Sequence, residues 1–134
     1  MLYLLSIVSC NAQTFSVKNL IGTKWEEIKD YESITKSVIE FTNTEMIETV
    51  FYLDSEKRFR WPRPYYISPT IPTSFDRSLV GKETKGIYLV MLYKFDKMFY
   101  KTIKEISHER LVLYHRKTNA IGGNAHTFVY KRVK

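Results

Sequence analysis

The chain has 134 residues, 44% of them hydrophobic and 26% charged, a balance that suits one domain with a real core and excludes a disordered chain. A single cysteine excludes an internal disulfide framework and any cysteine-cluster metal site. The formal charge of +7 is uneven: residues 1–93 hold eleven Lys/Arg and eleven Asp/Glu, whereas residues 94–134 hold ten against three. A basic final third suits anionic headgroups, acidic glycans or an anionic ligand, and equally the solvated outer face of strands. No nucleic-acid recognition motif accompanies the charge, so no nucleic-acid partner is expected.

In chain order, Met1–Val8 is an apolar run that ends at Ser9-Cys10, and Asn11–Thr14 begins a polar stretch. Trp25–Lys29 reads as a strand, followed by polar residues 30–36. Ser37–Thr42 and Glu45–Leu53 are two β-rich runs joined by Asn43-Thr44, a hairpin-length connection. In the second run Ile47, Thr49, Phe51 and Leu53 share one face, with Glu48 and Tyr52 on the other. Lys57–Trp61 starts another strand. All four prolines then fall within eleven residues, at 62, 64, 69 and 72. Because proline cannot donate to a ladder, residues 62–85 are expected to be a long irregular excursion with one helical turn near Phe75–Val80.

Regular structure is expected to resume at Gly86. Ile87–Phe95 alternates in period two, turns at Asp96-Lys97 and returns as Met98–Ile106. Leu111, Leu113 and His115 share a face of the next strand, Gly122-Gly123-Asn124 supplies residues that turn cheaply, and His126–Val133 is the last strand. Sequential hairpins with apolar alternation argue for an all-β fold, an up-and-down antiparallel barrel of about eight strands. Such a barrel is just wide enough for side chains or one small ligand.

Two resemblances add to this reading. Ile7-Val8-Ser9-Cys10, an aliphatic residue three before a cysteine and a small one directly before it, resembles the lipobox of bacterial lipoproteins. That resemblance implies residues 1–9 as a signal peptide, clipped at its N-terminus because no Lys or Arg precedes the apolar run. It also implies lipidation of Cys10, a tether over 10–19, and a cell-envelope location on an outer membrane or cell surface. The other reading of the same residues is a buried first strand with Cys10 in the core. Leu20-Ile21-Gly22-Thr23-Lys24-Trp25 resembles the glycine–tryptophan opening of lipocalin-like (calycin) barrels, with two residues rather than one between Gly22 and Trp25. Tyr100–Leu113 is similar to the closing strand pair of small bacterial members. The resemblance implies a barrel over residues 20–134 closed at its base by Gly22, Trp25 and a basic residue of the last strand. Arg132 is the first choice for that residue and Lys131 the second.

Functional candidates are few. Glu26 and Glu27 point to opposite strand faces and so do not converge on one atom. His115 and His126 should be cross-strand neighbours, a metal site only if a carboxylate joined them, and otherwise ordinary strand residues, as is His108. No nucleophile elbow, phosphate loop or cofactor motif is present, so neither an enzyme nor a cofactor is expected. The richest binding segment is Phe59–Tyr66, in which Trp61, Tyr65 and Tyr66 supply rigid apolar area and Arg63 a bidentate donor. This segment either gates the barrel mouth or plugs it. Met91 and Tyr93 are candidate cavity-lining residues on the next strand. Two functions stay open: a lipid-anchored carrier of a small apolar or amphipathic, anionic-ended ligand, or a filled barrel that binds a protein partner through the 62–85 loop.

Overall fold

The computed structural model describes residues 13–116 and 124–134. Cys10, the residues before it and the Gly122-Gly123 turn lie outside that range. Ten strands follow one another: β1 (Phe15–Ser16), β2 (Lys24–Ile28), β3 (Thr35–Phe41), β4 (Glu45–Tyr52), β5 (Arg58–Ser68), β6 (Lys85–Gly86), β7 (Tyr88–Leu92), β8 (Met98–Ile106), β9 (Arg110–His115) and β10 (His126–Arg132). Eight of them close a barrel in the order β10-β2-β3-β4-β5-β7-β8-β9, every pairing antiparallel. The all-β up-and-down barrel expected from the sequence is therefore the fold. It is compatible with a calycin-like architecture. The two remaining strands, β1 and β6, pair with each other.

Period-two alternation and the cross-strand register together fix the inner face. Trp25 opposes Ile39, which opposes Glu48, which opposes Trp61. Tyr65 opposes Met91, and Met91 opposes Phe99. Ile103 opposes Leu113, Leu113 opposes Phe128, and Tyr130 opposes Glu27. One face of every strand therefore points inward without a break in parity, apart from a bulge between Ile103 and Glu105 that restores the phase at Ile106. Near the chain's entry this interior is solid. Trp25, Ile39, Phe41, Tyr65, Ile67, Leu89, Leu111 and Tyr130 are buried, and Phe15, Val17 and Leu20 pack among them from below. Each such side chain contributes about 1.5–3 kcal/mol by leaving water. Phe15 and Val17 are themselves members of the buried core.

The irregular excursion expected over 62–85 is shorter than the prolines suggested. Pro62 and Pro64 lie within β5, opposite Ile47 and Glu45. The Tyr65 amide donates to Thr44, so odd-numbered residues of β5 direct their amides toward β4 and even-numbered ones away from it. The missing N–H groups of Pro62 and Pro64 therefore fall on the β7 side, and there pairing starts only at Tyr65. The prolines do not end the strand; they end one of its two ladders.

Residues 69–84 then cross the outer wall, with a 3₁₀ turn at Arg77–Leu79 inside the expected helical stretch. Tyr66 sits beneath this segment: its hydroxyl donates to the Ser74 carbonyl (3.3 Å), accepts from the Asp76 amide (3.2 Å), and its ring packs on Phe75. Gly86 ends the crossing where a Cβ would lie 2.1 Å from the Ser68 carbonyl oxygen, so only glycine fits. A further departure is Phe95. Expected on a strand face with Met91 and Tyr93, it instead sits at φ 61° in a tight 3₁₀ turn and is 91% exposed.

Candidate functional site

The barrel has two ends of different character. At the closed end the Trp25 indole N–H donates to the Thr23 hydroxyl (2.7 Å), and the Arg132 guanidinium lies 5.7 Å from the indole centroid. Gly22 turns the chain at φ 79° and donates its amide to Phe41. Lys131, the second choice for this contact, points outward and pairs with Glu26, which also holds Lys36. The bond from Lys36, with help from Lys131, lowers the Glu26 pKa. A surface depression of about 730 Å³ lies outside this end, lined by residues such as Lys24, His108 and Arg132, and is separated from the interior by buried Trp25.

Toward the other end the inward side chains change in kind. Above Trp25, Ile39, Met46, Tyr65, Leu89, Ile103 and Tyr130 come Glu27, Ser37, Glu48 and Val50, Trp61 and Arg63, Phe99 and Lys101, and Phe128, by strict alternation. Glu27, Glu48, Val50, Trp61, Phe99, Lys101 and Phe128 all point inward and are all only partly buried. A filled barrel would bury them as it buries Trp25 and Leu89, so solvent reaches the upper half of the interior.

The charges in this upper lumen are not equivalent. Glu48 is fully engaged: one carboxylate oxygen accepts from Arg63 (3.2 Å) and the other from the Ser37 hydroxyl (3.2 Å). The Arg63 guanidinium in turn lies 4.7 Å from the Tyr93 ring centroid. Glu27 has no such partners, and burial raises its pKa against the pull of Lys29 and Lys101. Lys101 stands alone. Among the described residues it makes no ion pair within 4.0 Å, and its ammonium rests 3.8 Å from the Phe128 ring centroid. Burial lowers its pKa to about 8, despite the opposing influence of Glu48 and Glu27. Tyr130, at the floor, is pushed upward by burial. Lysine is seldom buried without a partner, which makes this inward ammonium the least satisfied charge of the upper lumen among the described residues.

The sequence candidates divide by position. Trp61, Arg63 and Tyr93 come together around a crevice of about 190 Å³ that also includes Pro62, Pro64 and Leu92. It lies where the β5–β7 ladder stops, so the prolines open the wall there. Trp61 stacks on Phe59 at 5.7 Å between centroids. Tyr65 and Met91 belong to the solid lower half, with Tyr65 donating its hydroxyl to the Thr42 carbonyl (2.6 Å). Tyr66 faces the outer wall and is not a lumen residue. His115 and His126 are register partners, as the hairpin implied, and no third His, Cys, Asp or Glu gathers with them among the described residues.

The sequence pattern sets Glu27 aside as one of a pair pointing to opposite faces, and it does not single out Glu48 or Lys101. One signal for Lys101 was present: it sits between Phe99 and Ile103 on one face of an alternating strand.

No protein-family model matches the chain, and neither a curated protein nor a solved structure matches it.

Proposed function

We propose that the protein is a carrier whose upper lumen holds one amphipathic molecule, its apolar part against Val50, Phe99 and Phe128 and its polar end at Lys101. The observation that carries this reading is the unpaired, inward-facing ammonium of Lys101 above a packed floor. The apolar walls provide burial, and an anionic end would restore the charge balance that Lys101 lacks. Arg63 is less available, because Glu48 already holds it. The crevice between Trp61 and Tyr93 offers a side entrance.

The reading of a filled barrel that binds a protein through residues 62–85 has less support, since 62–68 are strand and Tyr66 and Phe75 hold the rest against the wall.

The lipobox-like Ile7–Cys10 belongs to the same proposal. Phe15 packs at the closed end. A lipid on Cys10 would therefore tether the barrel by its base, with the lumen opening away from the anchoring membrane of the cell envelope.

The test is a titration of the full-length protein with decanoate, read by displacement of an anionic environment-sensitive dye. One saturable site per chain is expected, weakened about tenfold in Lys101→Gln and kept in Lys101→Arg, because a charge-assisted contact is worth about 1.5–3 kcal/mol. Absence of saturable binding, or equal binding by Lys101→Gln, would overturn the proposal.

A further inference from the structure

We infer that Lys101 is a reversible covalent attachment point, its amine condensing with an aldehyde at the polar end of a ligand held in the upper lumen. This inference rests on the carrier reading and specifies the class of ligand.

The other lysines with defined partners are committed elsewhere. Lys18, Lys24, Lys36 and Lys131 hold carboxylates, and Lys29 is bonded to Ser33 and Thr35. Among the described residues Lys101 is held by the face of Phe128 alone, a contact that steadies the cation but takes no proton from it and leaves the nitrogen open once neutral. It sits at the middle of β8, facing the interior rather than bulk water. With a pKa of about 8, roughly a tenth of the molecules carry the free amine at neutral pH, against well under a thousandth for an ordinary lysine. Desolvation is a recognised means of activating a lysine toward carbonyl carbon.

The step balances without a co-reactant. The nitrogen lone pair attacks the carbonyl carbon, a C–N bond forms, and the C=O π pair moves to oxygen, which takes a proton to give a carbinolamine. The nitrogen releases a proton, the hydroxyl leaves as water after a second protonation, the lone pair closes the C=N bond as an iminium, and loss of its remaining N–H proton gives the imine. Net, amine and aldehyde give imine and water, and the reverse releases the ligand.

The acid that suits the dehydration is Glu27. It faces the same lumen from β2, is unpaired among the described residues, and is shifted by burial toward holding its proton. Glu48 cannot serve as readily, because Arg63 and Ser37 occupy both its oxygens.

The experiment exposes the full-length protein to decanal and sodium cyanoborohydride at pH 7, followed by peptide mass mapping. The expected result is one decyl group per chain, located on Lys101 at about tenfold or more above any other lysine, as the pKa gap implies. Lys101→Arg should lose this label, because a guanidinium does not condense with the aldehyde. Because Lys101→Arg could misfold, Glu27→Gln provides a second variant, with Lys101 labelling slowed about tenfold or more. Labelling spread evenly over the lysines, or unchanged on Lys101 in Glu27→Gln, would overturn the attachment or its acid respectively. Saturable decanoate binding without a label on Lys101 defeats the imine and leaves the carrier standing. Absence of both defeats the two together.

Discussion

Replacing Lys101 with methionine, a near-isostere that fills the space without charge, should stabilise the protein at neutral pH. The ammonium has a pKa of about 8 in the fold against 10.5 for an ordinary lysine. At about 1.36 kcal/mol per unit, that gap corresponds to roughly 3 kcal/mol of cost to folding, reduced to about 1–2 kcal/mol because the upper lumen admits water. The sign of the pH dependence follows from proton counting. Between pH 8 and 10.5 the unfolded chain binds the proton that the folded chain has released, so the parent gains stability with rising pH. The methionine variant lacks this gain, and its advantage should shrink to about a quarter of its pH 7 value by pH 10. Groups other than Lys101 titrate in parent and variant alike and cancel in the difference. Urea unfolding at pH 7 and pH 10, followed by tryptophan emission, measures both quantities. Thermal unfolding at pH 7 should show a rise of about 3–6 °C. A variant less stable than the parent at pH 7, by an amount that pH does not change, would refute the reasoning, since it would mean that Lys101 is held by a favourable partner.

Three further outcomes follow from particular contacts. Gly86→Ala should lose about 3 kcal/mol or more in urea unfolding, because its Cβ meets the Ser68 backbone at 2.1 Å and the outer crossing must shift. Tyr65→Phe removes a buried hydroxyl that donates to Thr42 and should cost about 1 kcal/mol in the same assay, leaving decanoate affinity unchanged. Arg63→Met strips Glu48 of its cation and should cost about 1–3 kcal/mol in the same assay.

The barrel was legible in the chain because an antiparallel meander repeats the same two signals, alternation and short turns, at every step. Met98–Ile106 and the His115–His126 neighbourhood emerged from those signals alone. What alternation does not say is which face points inward. In β4 the face shared by Ile47, Thr49 and Phe51 looked the more apolar, yet Met46, Glu48 and Val50 face the lumen. A site interior inverts the usual rule, since a lumen that receives a ligand carries polar groups on its inner wall. Lys101 and Glu27 carry charge onto that inner wall, where alternation alone does not point to a site. The prolines misled in another way: proline forbids donation, and only the register shows that the forbidden donors lay on the unpaired side of β5. Tyr66 groups in sequence with Trp61, Arg63 and Tyr65 as a binding candidate, but alternation sets it on the opposite face from Tyr65, where residues 69–84 cover it. Phe95 continued the alternation of β7 in sequence, and its left-handed backbone, which no side-chain pattern announces, removes it from the strand.

Trp25 is packed in the solid half of the interior and Trp61 lies in the half proposed to take a ligand, so the two tryptophans report on the two halves. A medium-chain fatty acid brominated at its tail quenches indole fluorescence only on close approach. Titrated into the parent protein it should quench a saturable fraction of the emission, and that fraction should vanish in Trp61→Phe, which retains only the closed-end Trp25. Equal quenching in Trp61→Phe, or none in either protein, would contradict a ligand site in the upper lumen.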